Sequence, residues 1–493
     1  MHTHPFLAYQ RHVCPLTQAT RMLKRMRTFV LLLLTGLLHA QYYHPGTEKA
    51  PPLPREFRGA WAAVIYNIDW PSASGLSAPA QQEEMLAILD KMSALNMNAL
   101  IFQVRPQCDA VYASGAEPWT TWLSGTMGRS PGYDPLEFTI REAHRRGIEV
   151  HAWFNPFRAL SNAKSTASAD HITRSASALT KKYGTLVWCD PALPETRARA
   201  MAAILDVLRR YDVDGIHIDD YFYPYPQGGM RFNDGRSNES RRAVVDSFVA
   251  NMYGQIKKIK PWARVGISPF GIWKPGVPEG TTAQLNAFED LGCDARKWLA
   301  NGWCDYLAPQ LYWRINGPQS YTALLQWWRQ QGSRPVWPGI ASARIESTED
   351  PGRKASEIIS QIEQSRTTGT NYVGHLHWSV KSIMQNRGNI NALLKGIYTS
   401  PALVPPMPWI NRTAPSTPRC SGSVSGGNTI IKWQKTDEKT AKIAIQARQG
   451  GVWRTVRILG VGNGGTTIAL ADAFAISSVD RYGNTSAPNI LSK

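Results

Sequence analysis

The run Val213-Asp214-Gly215-Ile216-His217-Ile218-Asp219-Asp220-Tyr221-Phe222-Tyr223-Pro224 carries an apolar strand straight into two adjacent carboxylates and then two tyrosines. Carboxylates at a strand end, flanked by rings that can stack on a pyranose, suit cleavage of a glycosidic bond through a positively charged sugar transition state. Side chains alternate along a strand, so His217 and Asp219 share one face while Ile216, Ile218 and Asp220 share the other. Asp219 is therefore the expected catalytic nucleophile or base. Asp220 is the second choice, equally suited to orienting Asp219 or a loop backbone. An Asp at a strand end also commonly caps the turn that follows, so the surrounding fold has to decide between these roles.

Glycoside hydrolysis also calls for a partner carboxyl, roughly 5 Å from the first for retention or about 6.5–9.5 Å for inversion. The sequence offers Glu289, Asp290 and Asp305. The first two stand where a helix begins, a place that favours acids for its dipole alone. Asp305 opens a strand, at the end away from chemistry in a barrel.

The elements that must position these groups alternate with regularity. Strands are predicted at Arg58 to Ile65, Ala99 to Arg105, Glu149 to Asn155, Gly215 to Tyr221, Val265 to Phe270, Tyr306 to Trp313, Val336 to Ala341 and Tyr372 to Ser379. Helices are predicted between them at Ala80 to Asn96, Pro135 to Arg146, Glu195 to Tyr211, Ser237 to Ile259, Asp290 to Asn301, Tyr321 to Gln331, Lys354 to Arg366 and Ile390 to Tyr398. Eight strands alternating with eight helices predict an α/β fold, a (β/α)8 TIM barrel over residues 55–400. The rival, an open doubly wound sheet, lacks a Gly-rich turn after the first strand.

In a barrel the active site lies at the carboxyl ends of the strands, so the residues there are the candidates for binding substrate. Arg105 offers planar donors to a substrate carboxylate or acetamido oxygen. Asn155, Gln310 and Tyr312 offer hydrogen bonds to sugar hydroxyls. Trp119, Tyr221, Tyr223, Trp313 and Trp378 are stacking candidates, and His377 is placed to reach the mouth. His151 and His217 lie earlier on their strands and read as inward barrel layers.

Beyond Tyr398, prolines 401, 405, 406, 408, 415 and 418 punctuate a stretch without helical or strand period, read as a linker over residues 401–418. Short runs from residue 419 to 493, such as Thr429-Ile430-Ile431-Lys432-Trp433, predict a small all-β sandwich. That module is expected to be a spacer or partner surface rather than catalytic.

The amino end has a basic start at Met22-Leu23-Lys24-Arg25-Met26-Arg27, an apolar run through Leu38 and a small residue at Ala40. Residues 1–40 thus read as a leader and secretory signal peptide, with translation starting at Met22 or Met26. No cysteine stands at the cleavage region, so the chain is expected to be exported to the periplasm or beyond without a lipoprotein anchor. No second apolar run is long enough to span a bilayer.

The leader's five cationic residues bring no acid with them, so the formal charge of +18 falls to +13 in the mature chain. A basic exported protein fits an anionic envelope polymer, and nucleic acid is not an expected partner. The 18 tryptophans are either core filling or stacking platforms. Cys108, Cys189, Cys293, Cys304 and Cys420 show no paired spacing, and their odd count argues against a disulfide framework. With no zinc-ligand spacing, neither a metal nor a cofactor is expected.

Several ordered segments, among them Arg58-Gly59-Ala60-Trp61, Phe102-Gln103-Val104-Arg105-Pro106, His151 to Arg158, Asp212 to Pro224 and Asp305 to Trp313, resemble glycosyl-hydrolase-like family 10. The resemblance spans about Arg55 to Tyr398. It implies a bacterial (β/α)8 barrel that hydrolyses envelope or related amino-sugar glycans, here peptidoglycan strands or another N-acetylated polymer. The chain departs from the family at Gly292 and Cys293, within a helix start where relatives are tyrosine-rich, and at Asp190-Pro191-Ala192, where they tend to have Asp-Pro-Gly. The closing run Ala475 to Ser486 resembles the last strand and tail of a fibronectin type III domain. Three other readings stay open on sequence: a glycan-binding barrel without turnover, a hydrolase of another polysaccharide, and a metal-dependent enzyme using His217, Asp219 and Asp220. Adjacent residues on opposite strand faces make poor joint ligands.

Overall fold

Strands Phe57–Ala62 (β1) and Ala99–Arg105 (β2) are buried at every position. This is the pattern of a sheet with helices on one face and its own interior on the other. Along β2, Leu100, Phe102 and Val104 join the core beneath the helices. Ala99 and Ile101 join a separate interior cluster with Phe57, Trp61, Trp153, Tyr306 and Trp337. The computed structural model describes residues 42–367 and 372–493. The leader and signal peptide expected over residues 1–40 lie outside the described residues.

Glu149–Phe154 (β3), Gly215–Ile218 (β4), Arg264–Ile267 (β5), Tyr306–Leu307 (β6), Gly339–Ile340 (β7) and Gly374–His377 (β8) complete a parallel sheet ordered β6-β5-β4-β3-β2-β1-β8-β7. Its two edges meet, because Trp337 N donates to Leu307 O at 2.8 Å and Leu311 N to Gly339 O at 3.0 Å. The fold is a closed TIM barrel, which leaves no strand edge unpaired. Around it run the helices Ala78–Ala94 (α1), Pro135–Arg145 (α2), Pro194–Arg210 (α3), Asn238–Ile259 (α4), Ala295–Ala300 (α5), Tyr321–Arg329 (α6), Ala355–Thr367 (α7) and Ile390–Ile397 (α8). The start of α2 shows why such boundaries are legible: Asp134 accepts from Leu136 N and Glu137 N at 3.0 Å, and Pro135 fills the first turn.

Most strands are shorter than predicted, and three elements near the mouth show why. The ladder of β4 stops at Ile218, so Asp219 and Asp220 already stand clear of it. β6 ends at Leu307 because Pro309 has no N–H to donate and the chain folds tightly after it, Leu311 N bonding to Pro309 O at 2.9 Å. The helix predicted from Asp290 to Asn301 is broken by Gly292 at φ +63°, leaving Ala287–Asp290 and α5.

The barrel interior carries a polar column inside its aromatic packing. Trp61 Nε1 can only donate, and it reaches His217 Nε2 at 3.2 Å. His217 therefore carries its proton on Nδ1, which points at Tyr306 Oη (3.0 Å). The Tyr306 hydroxyl continues to His151 Nδ1 at 2.8 Å, and His151 Nε2 to Glu149 at 3.4 Å. Burial and the neighbouring His151 hold the His217 pKa well below the usual imidazole range, which agrees with a neutral ring. Gly266 leaves the space that Tyr306 occupies: a Cβ there would lie 2.0 Å from the phenol ring.

At the amino ends of the strands the column meets the carboxyl-terminal module. Residues 419–493 form two antiparallel sheets. Arg419–Ser425 (β9), Asn428–Gln434 (β10) and Gly465–Ala469 (β13) make one. Thr440–Gln449 (β11), Val452–Gly460 (β12), Ala473–Asp480 (β14) and Asn489–Ser492 (β15) make the other, with His44–Pro45 paired onto β15. Lys442 reaches Glu149 at 2.9 Å, and Arg264 approaches the same carboxylate at 3.5 Å. Arg481 pairs with Asp214 at 3.3 Å. The all-β module thus docks against the face opposite the one where barrel chemistry occurs.

The Pro-rich stretch read as a linker is packed rather than free. Leu403 N donates to Pro54 O and Glu56 N to Leu403 O, both at 2.9 Å, and Val404 enters the interior cluster. The segment caps the floor of the barrel. The tertiary structure also brings together two thiols that sequence spacing left unrelated, Cys108 and Cys189, whose Sγ atoms lie 3.5 Å apart as free cysteines.

Glu149 is buried among Lys442, Arg264 and His151. Burial opposes its charge, yet the two cations hold its carboxyl down at about 2. Replacing it by alanine strands those cations, and we expect Glu149→Ala to lower the unfolding free energy by about 3–5 kcal/mol in chemical denaturation. Because the folded pKa lies below the unfolded one, this contribution is present above pH 4.5 and is lost as pH falls towards 2. The gap between wild type and variant should therefore close in acid.

Candidate active site

Asp219 lies at the carboxyl end of β4 and faces a cavity of about 610 Å³ at the mouth of the barrel. Its Oδ2 accepts from Trp153 Nε1 at 3.2 Å and from Asn155 Nδ2, and its Oδ1 from Tyr221 N at 3.4 Å. The orientation of Asn155 is set from behind. Its Oδ1 accepts from Gln103 Nε2 at 2.6 Å and from Arg158 Nη2 at 2.7 Å, which turns its amide nitrogen towards Asp219. Gln103 is set in turn, its Oε1 accepting from Val64 N at 2.9 Å and Ile65 N at 3.0 Å. Each link donates towards the carboxylate.

Despite these donors, burial raises the Asp219 carboxyl to about 6, with Arg158 and the hydrogen bonds only partly offsetting it. Asp220 is raised to about 7 by burial and by the charge of Asp219 beside it. Its Oδ2 accepts from the Tyr225 hydroxyl, while Oδ1 is buried without a well-formed hydrogen bond. Asp220 does not line the cavity, as strand alternation requires. A cleft carboxyl that shares its proton near neutral pH can act as acid in one step and base in the next.

Of the expected substrate-binding residues, Tyr221, Gln310, Tyr312 and Trp378 line the cavity with Asp219. Asn155 is buried behind it as the positioning amide. Four others are placed elsewhere. Arg105 is buried against Glu117, its Nε 2.8 and 3.0 Å from the two carboxylate oxygens. Its Nη1 holds the carbonyls of Asn155 and Pro156, so it braces the loop and does not meet substrate. Tyr223 is core, packed on Phe232 and beneath Arg241. Trp313 packs edge-on against Phe270 and does not line the cavity. His377 is buried below the mouth, bonded to Ser342 at 2.7 Å and Tyr398 at 3.2 Å.

The candidates for a partner acid are also placed elsewhere. Glu289 pairs with Arg242 at 2.6 Å, and Asp290 accepts from Asn286 N at 3.0 Å. Neither lines the cavity, because the broken helix that carries them sits outside the mouth. Asp305 is buried at the amino end of β6, paired with Lys257 at 2.5 Å. Among the described residues that line the cavity, the other acid is Glu349, on the loop after β7, its side chain 77% exposed and 3.8 Å from Arg344.

Sequence reasoning missed Trp61, Gln103, Arg158 and Ser268, together with the rim residues Arg344, Lys381 and Arg387. Strand alternation could have found Gln103, a polar residue within an otherwise apolar strand. The rim cations come from loops after β7 and β8 and carry no local pattern. His217, Asp219 and Asp220 do not converge on a point: the imidazole is engaged by Trp61, Ser268 and Tyr306, and Asp220 turns away.

Residues 56–348, more than half of the chain, match the family described as Glycosyl hydrolase-like 10. The chain belongs to this family. It is 37% identical over 420 residues to Glycosyl hydrolase YngK of Bacillus subtilis (strain 168), covering 80% of this chain and 82% of that protein. It is 33% identical over 316 residues to Glycosyl hydrolase DigH of Escherichia coli (strain K12), covering 58% and 71%. Among solved structures, the PgaB (BpsB) glycoside hydrolase domain from Bordetella bronchiseptica aligns with a TM-score of 0.46 at 11% identity, over 70% of this chain and 98% of that one. As a glycosyl hydrolase-like 10 protein, the chain is a glycoside hydrolase, and Asp219 is its cleft-facing buried carboxylate.

The raised carboxyl of Asp220 is a cost to folding. Its folded pKa of about 7 lies above the unfolded value of 3.8, so stability is full below pH 3.8 and declines as pH rises through 7. Asp220→Asn removes that decline. We expect the variant to be more stable than wild type by on the order of 3 kcal/mol at pH 8 and no more stable at pH 4, measured by urea unfolding at both pH values.

Proposed function

We propose that this glycosidase is exported and cleaves an N-acetylated glycan of the bacterial envelope, in the first instance the glycan strands of peptidoglycan, with Asp219 moving the proton. The observation that carries the reading is a buried carboxyl, raised to about 6, standing in an open cavity lined by aromatic rings. Tyr221, Tyr312 and Trp378 supply stacking faces, and Gln310 supplies a polar group for hydroxyls. Lys381, Arg344 and Arg387 make the rim basic, which together with the +13 charge of the mature chain favours an anionic polymer. The apolar run before Ala40 supports export. No helix among the described residues is long and apolar enough to cross a membrane.

Glu349, the other acid on the cavity wall, is largely exposed, which favours a second reading: a barrel that holds glycan without cutting it. One experiment separates the two. Purified protein is incubated with peptidoglycan glycan strands, with and without attached peptides, and new reducing ends are counted. The proposed activity releases soluble fragments, whereas a binding barrel is retained on the polymer and releases none. Asp219→Asn should lower release by about 10³-fold while leaving the near-ultraviolet circular dichroism unchanged, and undiminished release would remove Asp219 from the reaction. Because the proton on Asp219 is needed for leaving-group departure, the wild-type rate should fall as pH rises above about 6.

A further inference from the structure

Two carboxyls facing each other across the scissile bond are the usual equipment of a glycosidase, with exceptions in which the substrate itself assists. Among the described residues that line the cavity, no second buried carboxyl accompanies Asp219. Asp220 does not line the cavity, and Glu349 is a solvated rim residue beside Arg344. Much of the apolar wall beside Asp219 is aromatic. The Trp378 ring lies 6.1 Å from Trp61 at 67°, 6.2 Å from Trp153 at 73° and 6.5 Å from Tyr312 at 25°, and all four residues line the cavity.

The polar handles of two of these rings are already engaged. Trp61 Nε1 donates to His217 and Trp153 Nε1 to Asp219, so neither N–H is free for a ligand, and the two rings, 2% and 5% exposed, meet the cavity as its buried wall. Tyr312 is the reverse. Burial and the nearby Asp220 hold its phenol well above the usual range, so it keeps its proton, and among the described residues its hydroxyl donates to no protein acceptor. An apolar box with one free O–H donor, beside a single proton-carrying carboxyl, matches a small planar amide bearing a methyl group.

We infer that the nucleophile is the substrate's own 2-acetamido group, held in the box formed by Trp61, Trp153, Trp378 and Tyr312. Its carbonyl oxygen attacks C1 while the C1–O glycosidic bond breaks, and Asp219 gives its proton to the departing oxygen. The sugar is left as a bicyclic oxazolinium ion, its positive charge shared between the amide nitrogen and carbon. Water then attacks C1, Asp219 takes a proton from that water, and the bond from C1 to the carbonyl oxygen breaks to restore the acetamide. One water is consumed per bond, and the anomeric configuration is retained. Holding nucleophile and C1 within one ring makes the first step intramolecular, which replaces the missing second carboxylate.

This inference rests on the glycosidase reading of the cavity and fails separately from it. The intact protein is titrated with the thiazoline analogue of N-acetylglucosamine, a mimic of the oxazolinium ion, and binding is read by tryptophan fluorescence without any need for turnover. We expect it to bind about 100-fold more tightly than N-acetylglucosamine. Glycan strands stripped of their N-acetyl groups should be cleaved about 100-fold more slowly than intact ones, the loss falling on kcat. Glu349→Gln should keep more than half of wild-type activity. Equal binding of thiazoline and N-acetylglucosamine, undiminished cleavage of deacetylated strands, or collapse of activity in Glu349→Gln would each overturn the inference. If no envelope glycan is cleaved, the proposed substrate falls, and the thiazoline titration still decides whether the cavity is built for an acetamido sugar.

Discussion

The structure turns on one constraint: a carboxyl group has to stand buried at the wall of a cavity, pointing one way, without being neutralised by a cation of its own. Directed dipoles meet it. The backbone N–H groups of Val64 and Ile65 orient Gln103, Gln103 orients Asn155, and Asn155 donates to Asp219. Four barrel strands or the loops that leave them contribute to this line, so it forms only when the ring has closed. Amide dipoles can hold a carboxylate in place while leaving its pKa near 6, whereas a cation bonded directly to it would have fixed the charge. Arg158 stands one step back, on Asn155, and Arg105 is engaged by Glu117.

The opposite end of the barrel follows different electrostatics. There Glu149, Arg264 and Lys442 form a buried ion network in which every charge has a partner, and the Glu149 carboxyl is driven down to about 2. One end of the barrel holds a carboxylate ionised among cations, and the other holds two carboxyls raised towards neutrality by burial. Between the two runs the neutral column of His217, Tyr306 and His151, which satisfies its own donors and acceptors inside an aromatic interior. A charged imidazole there would have no counter-ion and would face another histidine, which is why His217 is held neutral.

The residues that sequence reading misplaced share a physical cause. Arg105, Tyr223, His377 and Trp313 all sit on or just past strand ends, where local pattern predicts exposure to the mouth. Whether a side chain there meets substrate or protein depends on what a distant loop brings over it. Glu117 reaches Arg105 from the loop after β2, Tyr398 reaches His377 from the end of α8, and Phe232 covers Tyr223. Glu289 and Asp290 failed for a nearer reason, since Gly292 breaks their helix and leaves them bound to Arg242 and Asn286. The Pro-rich stretch shows the same dependence on distant contacts: prolines that end helices and strands also make a stiff strap, and this one packs along the barrel floor.

The amino-acid sequence alone was enough to determine the alternation of strands and helices and the choice of Asp219 over Asp220 as the carboxyl at the end of β4 that faces the mouth. Those are properties of periods two and 3.6 and of short-range caps, and they are written along the chain. Closure of β6 onto β7, the aromatic wall beside Asp219, the lack of a second buried carboxyl among the described residues that line the cavity, and the meeting of Cys108 with Cys189 were decided only in three dimensions. Each depends on contacts between segments far apart in the chain. A contact of that kind is set by how the closed ring packs as a whole, which no local pattern encodes.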